Sequence, residues 1–99
     1  MQQKFKLYLT PSFNKSFKKI AKKNQKVINQ VNKTLMLLRE NPFYNSLNSH
    51  KVESVKYGLC PSSRVTGDLR VLWERSKTEV QILDILDIGG HSGKNKVYK

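Results

Sequence analysis

Val80-Gln-Ile-Leu-Asp-Ile-Leu-Asp-Ile88 is almost continuously apolar, and Gly89-Gly90 stops it. A run of this length reads as a central strand covered on both faces, because a half-exposed strand would alternate. Working back from it, Ser76-Lys77-Thr78 forms a turn from a preceding strand over Asp68 to Arg75, with the last strand running from Glu79 to Ile88. Thr66-Gly67 is a tight turn from an earlier, weaker strand at about Leu59 to Val65. Pro61 interrupts that strand and should delay its start or sit at a bulge. The three strands form an antiparallel meander, followed by a tail from His91 to Lys99.

The other end of the chain supplies the covering layer. Lys4 to Thr10 alternates, with Phe5, Leu7 and Leu9 on one side, as a half-buried strand does. Thr10-Pro-Ser is a helix start, with Thr10 or Ser12 as N-cap and Pro11 in the first turn. Phe13, Phe17, Ile20 and Ala21 follow at helical spacing. After a break at Asn24-Gln25, a second helix over about Gln25 to Glu40 carries Val27, Ile28, Val31, Leu35 and Leu38 on one stripe, and Asn41-Pro42 ends it. The short connection makes the two helices an antiparallel hairpin. Residues 43–58 read as a long loop with a short helix or extended piece near Leu47 to Val52. The expectation is a single α+β domain over residues 1–99: strand, helical hairpin, then meander, with helices on one face of a mainly antiparallel sheet.

Composition narrows the function. Nineteen Lys and Arg against seven Asp and Glu give a formal charge of +12. Twelve of the basic residues and only two acids, Glu40 and Glu53, fall in residues 1–56. A compact domain carries such an excess most readily opposite a polyanion, so nucleic acid is the first partner to consider and an acidic protein the second. One cysteine, Cys60, excludes an internal disulfide, and with two histidines it makes a zinc site an unpromising reading. No apolar run approaches the roughly 20 residues of a membrane span. The N-terminus lacks a secretion-type apolar stretch, so the expected location is cytoplasmic.

The chemistry-bearing side chains lie mostly in the second half. Arg64 and Arg70 flank the Thr66-Gly67 turn, so paired strands can bring both guanidiniums to one surface, where an arginine binds phosphate through its fork. The competing reading pairs Arg70 with Asp68, Glu74 or Asp87 in a structural salt bridge, and local sequence leaves both open. His91, after two glycines, can move a proton near neutral pH or simply sit idle on the surface. Tyr98 can stack on a base or pin the tail to the sheet. His50-Lys51 is a third polar pair. There is no glycine-rich phosphate loop, no paired carboxylates at helical spacing and no metal-ligand cluster in the sequence. An enzyme built from these parts should work without a metal or organic cofactor. RNA carries its own nucleophile, the 2′-hydroxyl. A protein need then only orient the strand, move two protons and stabilise phosphate charge.

Ser63-Arg-Val-Thr-Gly-Asp-Leu-Arg-Val-Leu-Trp-Glu74, Ile85-Leu-Asp-Ile-Gly-Gly-His91 and the closing Lys96-Val-Tyr-Lys99 resemble the toxins of the RelE/ParE superfamily. So do Leu9-Thr-Pro-Ser-Phe13 and Leu47-Asn-Ser-His-Lys51, in the same order along nearly the whole chain. The resemblance implies a type II toxin, countered by an acidic antitoxin, whose RelE-like members cut messenger RNA in the ribosomal A site by 2′-hydroxyl attack. By that resemblance Arg70 contacts the scissile phosphate, His91 and Tyr98 serve proton transfer, phosphate binding or stacking, and Arg64, His50, Lys51, Lys94 and Lys96 hold RNA. Two departures stand out: the Ser92–Val97 stretch is longer than in many relatives, and Pro61-Ser-Ser replaces lysines found in several. The superfamily also includes DNA gyrase poisons, and a non-catalytic RNA- or ribosome-binding protein is a third reading.

Overall fold

The computed structural model describes residues 4–22 and 24–90. Its elements are β1 (Lys6–Leu9), α1 (Pro11–Ala21), α2 (Gln25–Glu40), a 3-10 turn (Asn45–Leu47), β2 (His50–Ser54), β3 (Gly58–Arg64), β4 (Arg70–Arg75) and β5 (Ile82–Gly89). The strands form one five-stranded sheet in the order β1-β5-β4-β3-β2, with β1 parallel to β5 and the remaining neighbours antiparallel. Two helices on a mainly antiparallel sheet give the α+β architecture expected from the sequence.

Both faces of β5 are covered, for a reason visible in its register. Leu72 pairs with Asp87 and Trp73 with Ile85, so Leu86 is one extra residue in β5, a bulge. Leu83, Ile85 and Ile88 face the helical layer and pack with Phe13, Val31, Leu38, Val71 and Trp73. Leu86 turns the other way and packs with Cys60 and Leu72, flanked by Val52 and Tyr57. Each such side chain, fully buried, contributes about 1.5–3 kcal/mol. The bulge is why the apolar run continues where strict alternation would have placed a polar residue.

Thr10 joins the helical layer to that bulge. Its hydroxyl oxygen accepts from the Phe13 N–H at 3.1 Å, and the hydroxyl donates toward the Ile85 and Leu86 carbonyls at 2.8 and 3.0 Å. Pro11 occupies the first helical turn, where its missing N–H costs nothing. Thr10→Ala removes the cap and the cross-link together. It is expected to lower stability by about 1–2 kcal/mol in urea unfolding, while Thr10→Ser should lose much less.

Two expectations change on contact with the structure. The long loop read over residues 43–58, with a short helix or extended piece near Leu47 to Val52, in fact holds both a 3-10 turn and β2, and β2 joins the sheet by pairing with β3 from His50↔Ser62 to Ser54↔Gly58. In the strand His-Lys-Val-Glu-Ser only Val52 is apolar, and four of the five side chains are not needed by the main core. An edge strand of this kind is made by its ladder and leaves no periodic signal. Pro61 neither delays β3 nor bulges it, because β3 starts at Gly58 and Pro61 pairs with Lys51. Toward β4 the ladder ends at Ser62↔Leu72, one residue short of the proline that has no N–H to offer.

Candidate functional site

Arg70 opens β4, and alternation fixes its direction. Val71 and Trp73 belong to the core under the helices, whereas Leu72 belongs to the opposite layer. Arg70 therefore points, with Leu72, to the sheet face that the helices leave uncovered. The side chain is only 8% exposed. Its Nε donates to the Ser62 hydroxyl at 2.7 Å, and its Nη2 donates to the carbonyls of Asn48 (2.6 Å) and Ser62 (3.2 Å). Asn48 is left-handed, with φ 46°, a conformation asparagine adopts more readily than most residues. It ends the 3-10 turn and leaves its carbonyl facing the guanidinium.

His50 completes this corner. Its Nδ1 lies 3.3 Å from Arg70 Nη2 and 3.0 Å from the Asn48 carbonyl. The two Nη2 hydrogens already serve the Asn48 and Ser62 carbonyls, and a carbonyl can only accept, so the closer contact fits Nδ1–H donating to the Asn48 carbonyl. The Asn48 carbonyl, with two lone pairs, then serves both Arg70 and His50. A charged, always protonated fork is thus held in fixed orientation by β3 and the start of β2, with an imidazole against it.

The remaining candidates fall out differently. Arg64 stands directly opposite Arg70 in the β3–β4 register, as the turn between them suggested, but it is exposed, and its carbonyl accepts from Thr34 at 3.3 Å. Lys51 follows His50 on β2 and is exposed. His91, Lys94, Lys96 and Tyr98 lie outside the described residues. Asp87, one of the carboxylates considered for Arg70, caps the following Ile88 N–H through Oδ1 at 2.9 Å. Sequence reasoning missed Ser62 and Asn48 as the groups that orient Arg70. The only local hint was an asparagine in a Ser/Asn-rich stretch, which marks a turn but not its direction.

Cys60 lies beside this layer. Burial pushes its thiol above the ordinary value, the nearby Glu74 charge adds to this, and a hydrogen bond to Ser54 opposes it. It is the thiol, not the thiolate, that packs here. Native Cys60 should resist iodoacetamide at neutral pH and react fully once the chain is unfolded in urea. Because the folded value is the higher one, the unfolded chain loses this proton first. Stability should therefore fall as pH rises above about 9.

Among the described residues no helix is long and apolar enough to cross a membrane, and no group of three or more His, Cys, Asp and Glu is placed to hold a metal ion. Two helices on an open, mostly antiparallel five-stranded sheet is a fold shared with solved toxin structures. Among solved structures, YafQ from E. coli strain BL21(DE3) superposes with a TM-score of 0.65 at 19% identity, covering 87% of this chain and 92% of that one. A YoeB/ParE toxin from Agrobacterium tumefaciens gives 0.66 at 19% identity, covering 89% and 100%. A chain from the E. coli DinJ–YafQ toxin–antitoxin complex gives 0.65 at 18% identity, covering 89% and 93%. No family model matches the chain, and no curated protein matches it by sequence.

Proposed function

We propose that this protein is the toxin of a type II toxin–antitoxin pair and an endoribonuclease that cuts messenger RNA on the ribosome. The observation carrying this reading is Arg70. Its guanidinium is built into the open face of the sheet, oriented by Ser62 and Asn48 and touched by His50. The shared fold of toxins, one of them solved with an antitoxin, supports the first half of the proposal.

In the reaction the 2′-oxygen of one nucleotide attacks the adjacent phosphorus while a base takes its proton. The bond to the 5′-oxygen breaks as an acid protonates that oxygen. A 2′,3′-cyclic phosphate and a 5′-hydroxyl result. Arg70 stabilises the charge gathering on the non-bridging oxygens, and its anchoring by Ser62 and Asn48 means little reorganisation at that moment. His91 and Tyr98 are assigned the proton transfers, and Arg64, His50, Lys51, Lys94 and Lys96 the grip on the strand. The +12 charge speeds encounter with ribosomal RNA and suits an acidic antitoxin.

The test is primer extension on a defined transcript incubated with purified protein and programmed ribosomes. Cuts at codon-related positions are expected. Intact transcripts, with growth arrest accompanied by DNA damage and normal translation, would indicate a gyrase poison instead. No effect on growth would indicate a non-catalytic binder.

A further inference from the structure

β2 closes the sheet on one side and, among the described residues, has a strand neighbour only in β3. Pro61 fixes which of its backbone groups face outward. A residue without an N–H cannot belong to a hydrogen-bonded pair, so Lys51↔Pro61 is a non-hydrogen-bonded pair. His50, Val52 and Ser54 therefore turn their N–H and C=O groups to β3, and those of Lys51 and Glu53 point away from the sheet. The register runs through all five pairs without a shift, and neither a bulge nor a proline in β2 blunts the edge. The opposite edge differs. On β1 the N–H groups of Lys6 and Thr10 turn inward, donating to the carbonyls of Gln81 at 2.7 Å and Ile85 at 3.2 Å. That parity turns the Phe5 N–H outward, where the Arg39 carbonyl already takes it at 2.9 Å.

The two faces beside this edge differ in chemistry. On the helical face Lys51 borders a cavity of about 290 Å³ lined also by Phe43, Pro61, Trp73 and Arg75, and Phe43 is left 62% exposed. Arg75 lies over the Phe5 ring, 5.4 Å from its centroid, so Lys51 is the cation an edge partner meets. Among the described residues Lys51 is in no ion pair. On the other face His50 lies 3.3 Å from the Arg70 guanidinium. A ligand laid on one face reaches only one of these, whereas a strand added at the edge reaches both, because its side chains alternate. We infer that the edge of β2 is a docking site for an extended, acidic segment of a partner protein, which joins the sheet as a further strand. Its apolar side chains fill the recess, and its carboxylates meet Lys51 and the positive corner at His50 and Arg70. Glu53 sets their position: like charges facing each other on paired strands repel, so the carboxylates lie toward Lys51 and His50. A second copy of this chain is a poor occupant, since it brings another +12. A nucleic acid lacks the evenly spaced peptide N–H and C=O groups that the edge requires. Calling the partner an antitoxin rests on the toxin reading; the edge and its chemistry do not. Within that reading the added strand shuts off the site by covering the His50–Arg70 corner.

The test titrates the full chain with a short synthetic peptide that alternates leucine with glutamate. Wild-type protein should bind it. An added strand pairs through the amides of every second residue only. N-methylating one alternate set, all the leucines or all the glutamates, should therefore weaken binding about tenfold, and methylating the other set should change it little. Glu53→Gln should tighten binding about twofold by removing a like charge. Glu53→Pro removes the same charge together with an outward N–H, leaves the ladder to β3 intact, and should weaken binding about fivefold. Charge attraction alone predicts tighter binding by both variants, and that result overturns the inference. Equal affinity of the parent and both methylated peptides overturns it too, a comparison made on wild-type protein even where Glu53→Pro does not fold. Peptide binding that follows the predicted pattern in a protein that never cuts a transcript leaves the docking edge standing and removes the nuclease reading.

Discussion

Arg70→Lys is expected to slow cleavage by about 10²–10³-fold while leaving polyanion binding nearly unchanged. The substitution keeps a positive charge but loses the fork. An ammonium is a point charge on a flexible stem, unable to hold the Ser62 hydroxyl and the Asn48 carbonyl and still present a fixed donor to phosphate. Long-range steering depends on net charge and is kept. Arg70→Ala is the blunter change, since it strands two carbonyls and a serine hydroxyl in a buried layer. That costs about 1–3 kcal/mol per unsatisfied group, so lost activity there would mix chemistry with folding. The check is single-turnover cleavage of Arg70→Lys on programmed ribosomes, with thermal unfolding run in parallel. Wild-type rates from a folded Arg70→Lys would remove the fork from the mechanism.

Trp73→Ala should have the largest effect on stability, about 3–5 kcal/mol by urea unfolding. Trp73 is 2% exposed and sits where the helical core meets the 42–49 segment. Its Nε1–H donates to the Ser63 hydroxyl at 2.8 Å, which in turn contacts Ser49 at 2.6 Å. Truncation opens a cavity, breaks that chain and releases Phe43. A domain of this size has about 5–15 kcal/mol in all, so the variant should be partly unfolded at growth temperature. Trp73→Phe keeps most of the volume and loses the donor, and should cost less than half as much.

The elements that bury a continuous stripe were legible before any coordinates. The second helix spans Gln25–Glu40 as its stripe indicated, and of the two caps the sequence left open for the first, Thr10 and Ser12, Thr10 is the one used. The last strand, read as Glu79 to Ile88, is β5 over Ile82–Gly89, starting three residues later and ending one later than read. What escaped were features owned by more than one element. β2 has a single apolar residue, the β5 bulge exists only relative to β4, and Arg70's setting depends on a carbonyl 22 residues away. Arg70 was legible as a candidate because arginine suits phosphate. Its burial and anchoring were not, because no local pattern encodes a partner across three strands.

The most direct test of 2′-hydroxyl chemistry at Arg70 is a transcript carrying one 2′-deoxynucleotide at the mapped cut site, incubated with protein and programmed ribosomes. The expected result is no cleavage at that position, with the all-ribose transcript cut there to a cyclic phosphate and a 5′-hydroxyl. Equal cleavage of both transcripts would contradict the account.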